Sequence, residues 1–472
     1  MLAYKYCQYL VLQTMSQQLE DPLKDIAPYS FDNLVGEFKW LIGTLPESRT
    51  GLNITYSIAD AALGAFSVFF MQSPSFLAHQ ARMQDTRGHN NAQSLFQITN
   101  IPSDNQIRNL LDPISPEQIA PMFDFVFNGL NSVGYFEHYR SINKTILIAI
   151  DGVNYFSSDK ISCERCSTKH HKSGKIEYLH NAITPVIVAP DNPRVISLTP
   201  EYITPQDGHD KQDGEHAATK RWLQAHGSKY KELGITILGD DLYAHQPICE
   251  AILQEELHFI LTCKPDSHIK LYEAISGHEA AGQIVSRQIE RIQGKKVIKK
   301  FIDTYRFYNN VPIRGTEDAL MVNWCELITT DEAGQVVFIN SYITDHLITF
   351  YNVEDVVKAG RTRWKCENEH NNTLKNHGYH MEHSFGHGKQ YLSQTLLSFN
   401  LLAFLFHTVL SIMDVQYQTL REKLRTRQKF FDGIRVLTMY LFFNNWDKML
   451  KFMLEGLEQR HDASKLFEFD TT

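Results

Sequence analysis

The sequence predicts an α/β protein: a mixed sheet with helices, interrupted by a β-rich insertion and flanked by helical N- and C-terminal regions. Three observations carry this. Residues 145–151 (TILIAID) and 235–241 (ITILGDD) are continuous apolar runs ending in acids, as expected of strands buried on both faces. Helical stretches alternate with further strand-like runs around them, the pattern of a layered sheet. Both ends of the chain instead read as successive helices with recognisable start signals.

Taken in order, residues 1–140 form the helical N-terminal region. Ser57 to His79 is an apolar helical stretch broken near Ser73-Pro74, Ser103 is the N-cap of DNQIRNLLD, and Ser115-Pro116-Glu117 starts another helix. Short helices with tight turns suit DNA binding and suit a plain helical domain equally. Residues 141–264 form the first part of the sheet domain, with strands at 145–151, 181–189, 194–203, 235–241 and 258–264. Its helices lie at 214–226 and 245–256. Residues 265–350 are basic and alternating, with Asp331-Glu332-Ala333-Gly334 as a hairpin turn, and make the β-rich insertion. A long helix then starts near Asn352 in a segment, 351–390, that completes the sheet domain. Residues 391–472 are helical.

A chain of 472 residues with 43% hydrophobic and 21% charged content has material for several cores and no need of staples. The N-terminal stretch is interrupted by Gln8 and Gln13 and does not read as a secretory leader. Seven scattered cysteines then suggest reduced thiols in a cytoplasmic setting. Leu396 to Met413 is apolar but holds Ser398, Asn400, His407, Thr408 and Ser411, so a buried core helix, with no membrane partner, is the expectation. The net charge of −8 does not advertise nucleic-acid binding. Locally, Arg287, Arg291, Lys295, Lys296, Lys299, Lys300 and Arg306 outnumber Glu290 and Asp303. A second basic run extends from Arg421 to Arg435. Such segments can meet phosphates even on an acidic protein.

Three acids stand where a fold can gather them. Asp151 ends the first strand and precedes Gly152, Asp240 ends the fourth, and Glu367 lies on the helix after the insertion. Phosphodiester transfer needs in-line oxygens and neutralisation of developing charge. Hard divalent ions held by carboxylates provide both.

Together IAIDG (148–152), LGDDLYA (238–244) and GRTRWKCENEHNNTLK (360–375) resemble the three acidic motifs of DDE transposases of the insertion-sequence type, which have an RNase H-like catalytic core. The last segment is the most specific, with Arg363, Glu367 and Lys375 matching the family's Arg, Glu and Lys. The resemblance spans roughly residues 95–450, through IPSDNQIRNLLD (101–112), GYHMEHSFGHGKQYL (378–392) and SFNLLAFLFHT (398–408). It departs in two places. Gly360 replaces a frequent Tyr, and Lys375 lies one residue farther from the Glu than in the commonest version. The family acid precedes an aromatic by three, so Tyr243 selects Asp240 over Asp241.

The resemblance implies catalytic, metal-holding roles for Asp151, Asp240 and Glu367, with Mg2+ as cofactor and Mn2+ as a substitute. Metal-dependent cleavage at element ends and strand transfer into target DNA follow. So do double-stranded DNA with terminal inverted repeats as partner, a homodimer on that DNA, and a bacterial-type, nucleoid-associated location. Arg363 and Lys375 would hold DNA phosphate. Lys264, directly after a strand, would face the same edge or sit as a solvated terminus. Two other readings stay open: an RNase H-like nuclease that cuts without joining, and an inactive domesticated DNA-binding protein.

Other constellations are weaker. Cys163 and Cys166, with His170 and His171 beyond and His180 farther on, are half of a zinc-site signal, and the alternative is incidental reduced thiols. His377, His380, His383 and His387 with nearby glycines suggest a turn-rich loop. Asp207, Asp210, Asp213 and Glu215 read as a solvated loop and helix N-terminal charge, or an accessory metal contact. Trp364 reads as a core aromatic.

Overall fold

The computed structural model describes residues 30–459, apart from positions 46, 48, 51–53, 84, 85, 206–213 and 295–298. Gln8, Gln13, Asp207, Asp210, Asp213, Lys295 and Lys296 therefore lie outside the described residues. The chain divides into two units, one of Met1–Gly134, Asn376–Met381 and Phe385–Thr472, the other of Tyr135–Lys375 and Glu382–Ser384.

The first unit is helical in its described residues and brings together segments from the N- and C-terminal parts of the sequence. Helix Ile58–Phe70 packs along Leu392–Met413, the two most apolar helices described, through Phe66 on Phe406 (ring centroids 5.1 Å apart) and Phe70 on His407 (4.3 Å). Phe31 and Trp446 close the cluster at 4.3 Å. Leu392–Met413 is long and apolar enough to cross a membrane, yet its most apolar stretch is 83% buried in protein. Some of its polar groups are met there: Asn400 donates to the Tyr379 carbonyl, and Thr395 to that of Ile114. Ser30, Ser57 and Ser103 cap their helices as side-chain acceptors, each contributing about 1 kcal/mol.

The second unit holds the sheet, and the mixed α/β class expected from the sequence is present. Its strands are β1 (Ile146–Ala149), β2 (Gly152–Ser158), β3 (Ser167–His170), β4 (Ile176–Ile183), β5 (Val186–Ala189), β6 (Asn192–Ser197), β7 (Glu201–Ile203), β8 (Ile235–Gly239), β9 (His258–Thr262), β10 (Val285–Gln293), β11 (Lys299–Pro312), β12 (Met321–Asp331) and β13 (Val336–Thr344). The main sheet runs β10-β11-β12-β13-β9-β8-β1-β5-β6. Strands β1, β8 and β9 are parallel neighbours, and the remaining pairs are antiparallel. Every residue of β1, β5 and β8 is buried, which is why those runs are apolar throughout.

Strands β2, β4 and β3 form a smaller sheet, with β7 beside β4. The chain passes from one sheet to the other between β1 and β2, and again between β4 and β5. The run at 181–189 is therefore two strands, broken at Thr184-Pro185, not one. The same holds for 194–203, which becomes β6 and β7. At the crossing the Thr184 N–H donates to the Asp151 carbonyl at 3.0 Å. The β-rich insertion is continuous with the main sheet, because β13 pairs with β9. It opens with a helix, Ile269–Ala280, that the alternating pattern did not announce.

Candidate active site

Parallel register fixes the first two acids. Ala149 of β1 lies opposite Leu238 of β8, and the Ile150 N–H donates to the Leu238 carbonyl at 2.9 Å. Asp151 and Asp240, each two residues farther on, thus leave the same edge of neighbouring strands. Such C-terminal edges are where α/β sheets place ligands.

Asp240 and Asp241 differ in employment. Asp241 accepts from the Lys264 N–H at 2.6 Å and from the Ser267 hydroxyl, and lies 3.3 Å from His268 Nε2. It thereby fastens the loop after β9. The Asp240 carboxylate accepts only from the Leu242 N–H (2.9 Å) among the hydrogen bonds described, and its charge acts on Asp151 and Glu215.

Glu367 is carried differently from the single long helix expected. Helix Val353–Arg361 ends, and Cys366–Asn371 forms a wider π-helical turn before Asn372–Asn376 resumes. Side chains facing inward hold this turn. Lys365 Nζ donates to the carbonyls of Ala189, Pro190 (2.9 Å) and Asn192 (2.7 Å), and Cys366 lies on the Thr184 carbonyl. His370 meets Ser197 at 2.7 Å, and Asn371 accepts from Thr184 (3.0 Å) and donates to Asp151 Oδ2 (3.4 Å). Glu367 is left facing outward, half-exposed, with Arg363 Nη1 at 2.5 Å from its carboxylate.

A fourth carboxylate joins them. Glu215, first residue of the helix Glu215–Lys231, accepts from the Tyr243 hydroxyl at 3.0 Å and presses on Gly152, where a Cβ would collide with its carboxyl group. Electrostatics tie the group together. Burial, then the charges of Glu367, Asp240 and Glu215, push the Asp151 carboxyl up to about 7, with Arg363 acting in the opposite direction. Burial also raises Glu215, opposed by the Tyr243 hydrogen bond. Burial disfavours the Arg363 charge, but Glu367, Asp151 and Asp240 together hold it above its ordinary value. These carboxyl groups act on one another and on one guanidinium through their charges, and carboxylates are the hard oxygen donors that divalent cations take.

The other candidates are placed as follows. Lys264 is exposed just beyond β9, on the strand edge that carries the two aspartates. Lys375 pairs with Glu382 at 2.8 Å. Trp364 is no core aromatic: it is 43% exposed and lines a cleft of about 240 Å³ with Pro190, Lys358 and Arg361. The stretch after Lys375 is turn-rich, with left-handed backbone at Gly378, His380 and Gly388. Cys163 and Cys166 converge on His180. His170 instead stands exposed at the end of β3, and His171 pairs with Glu177 at 2.8 Å.

Among the described residues, several arginines of the basic runs are paired inside the protein, while Lys299 and Lys300 stay exposed. Arg291 pairs with buried Asp303 (2.6 Å), Arg287 with Glu354 (3.4 Å), and Arg306 with Glu326 (3.0 Å) and Glu279. In the second run Arg427 donates to the Tyr379 hydroxyl, while Arg435 donates to the Met71 and Gln72 carbonyls. Counting charges along the chain overstated the contribution of these arginines to the free basic surface.

Asn371 escaped the sequence reading as a site residue, while Glu215 was read there only as helix N-terminal charge or an accessory metal contact. The only signals were a helix-initial acid and an amide four residues after Glu367. No protein-family model matches the chain, and no curated protein matches it. Among solved structures it is similar to piggyBac transposase in a synaptic complex with hairpin DNA. The identity is 13%, the TM-score 0.39, and the match covers 95% of this chain and 86% of that one.

Proposed function

We propose that the chain is a transposase of the DDE, insertion-sequence type, cutting double-stranded DNA at element ends and joining those ends to a target. One observation carries the reading. Asp151 and Asp240 leave one strand edge, and the charges of Glu367 and Asp240 add to the burial that raises the Asp151 carboxyl, with Arg363 paired to Glu367. A carboxyl group raised by burial, with further acids acting on it at such an edge, is what metal-assisted phosphoryl transfer uses.

In this reading Asp151, Asp240 and Glu367 hold Mg2+, or Mn2+ in its place, with Glu215 as an additional oxygen donor. When bound, the ions act as Lewis acids that neutralise charge developing on the phosphodiester oxygens. Arg363 orients Glu367 through their ion pair. Asn371 orients Asp151, and Asp241 holds the loop that carries Lys264. Lys264 then meets DNA phosphate from the same edge, and Lys375 does so by exchanging Glu382 for phosphate. The DNA is bound as paired inverted repeats by a homodimer, in a bacterial-type cytoplasm.

The test uses the purified chain with DNA carrying the repeats that flank its coding region. Glu367→Gln should abolish Mg2+-dependent cleavage and leave DNA binding in place. Unchanged cleavage in this variant would remove Glu367 from the site. Products joining donor and target separate transposition from a nuclease, which yields hydrolysed ends alone. Absence of both from the unmodified chain supports an inactive DNA-binding protein.

A further inference from the structure

The small sheet carries a feature that phosphodiester chemistry does not use. Cys163 and Cys166 sit in the loop between β2 and β3, and His180 projects from β4 beneath them. The sulfurs are 3.7 Å apart, and His180 Nε2 is 3.5 Å from each. Tetrahedral zinc, with Zn–S near 2.3 Å and Zn–N near 2.05 Å, requires S···S about 3.8 Å and S···N about 3.6 Å. The three atoms therefore already mark one face of a zinc tetrahedron. A disulfide would need the sulfurs at about 2.05 Å.

The local backbone is shaped for the same purpose. The Cys166 N–H donates to the Cys163 carbonyl at 3.1 Å, closing the turn, and the Cys163 N–H points to Cys166 Sγ at 3.4 Å. That N–H stabilises negative charge on the sulfur, as a thiolate ligand needs. His180 is buried and held by ring contacts with Tyr155 (5.7 Å, stacked) and Phe156 (5.6 Å). Its orientation is thus fixed independently of any ion. The geometry points to a structural zinc site formed by Cys163, Cys166 and His180. It clips the loop after β2 to β4, and its fourth position is filled by water or by a ligand from outside this hairpin.

The register explains why His180, and not the nearer histidines, is chosen. His180 pairs across from Phe156 on β2, on the strand between β2 and β3, whereas His170 pairs with Ile176 at the far end of β4. The zinc serves the fold of a thin sheet, where a metal adds stability that a small apolar core does not.

The test is the metal content of the purified full-length chain, with Co2+ exchanged for zinc as a spectroscopic reporter. Stoichiometric zinc is expected, with a thiolate-to-cobalt charge-transfer band and the strong visible bands of a tetrahedral site. Cys166→Ser and His180→Ala should lose the metal, whereas His170→Ala and His171→Ala should keep it. If the cysteine variant does not fold, release of zinc from the unmodified chain by a thiol-specific mercurial reads the same ligation. No zinc after purification in zinc-containing buffer, a Cys163–Cys166 disulfide, or full zinc in soluble His180→Ala overturns the assignment. Glu367→Gln should leave the zinc in place, so this result stands or falls separately from the DNA chemistry.

Discussion

The carboxyl group of Glu215 lies against the backbone of Gly152, the residue that follows Asp151, with no room for a side chain between them. Gly152 is thus a contact surface for a neighbouring acid as well as the first residue of β2. Any side chain at 152 must displace either the strand or Glu215.

Gly152→Ala should accordingly lower thermal stability by about 1–3 kcal/mol, the usual cost of overpacking. It should also reduce Mg2+-dependent cleavage by shifting the acids. Adding Glu215→Ala removes the obstructing group, so the double variant should recover part of the lost stability. A thermodynamic cycle over the four proteins reads this coupling, and strict additivity would contradict it.

Proton linkage at Asp151 gives a second expectation. Its carboxyl titrates at about 7 in the fold, against an ordinary value of 3.8. Between those limits the folded state keeps a proton that the unfolded state releases. Metal-free stability is therefore lost as pH rises through this window. Asp151→Asn escapes the loss and should be more stable than the unmodified chain at about pH 8 by a few kcal/mol, with the difference closing towards about pH 4. Mg2+ should raise the Tm of the unmodified chain at the higher pH and leave Asp151→Asn nearly unmoved. Equal Tm values for the two metal-free proteins across the range would count against a raised Asp151.

Lys264 and Arg306 should separate DNA contact from internal support. Lys264 is exposed, so Lys264→Ala should leave Tm unchanged and reduce the slope of log binding constant against log salt by about 1. Arg306 bridges Glu326 and Glu279, and Arg306→Ala leaves the buried Glu326 uncompensated. It should lower Tm and leave the salt slope as it was. A reduced slope for Arg306→Ala, at unchanged Tm, would return that basic run to the DNA surface.

Much of the sheet was legible because full burial writes itself as an unbroken apolar run, as in β1 and β8, and an acid directly after such a run marks a strand edge. What stayed hidden depends on partners far along the chain. In residues 181–189 Pro185 signals a break in the strand, but nothing there reports that the chain changes sheets at Thr184. The arginines at 291 and 306 looked like free cations because Asp303, Glu326 and Glu279 meet them only after the hairpins form. Sequence proximity favoured His170 and His171 over His180, but strand register, not distance along the chain, decides which ring meets the cysteines. Asp240 and Asp241 are adjacent and chemically alike, and only the loop after β9 distinguishes their partners.

The wide turn at Cys366–Asn371 also bears on the spacing between Glu367 and Lys375. A π turn takes up one residue more than an α turn, so it inserts a position without advancing the helix. The interval, one residue longer than in the commonest version of the motif the sequence resembles, is the shorter one when counted in turns. Deleting one residue between 368 and 371 would restore α winding and keep the helix, but it would rotate His370 and Asn371 away from Ser197 and Asp151. Insertions and deletions in such a segment are therefore to be aligned by helical phase, with a gap opened inside the helix where ordinary practice would forbid one.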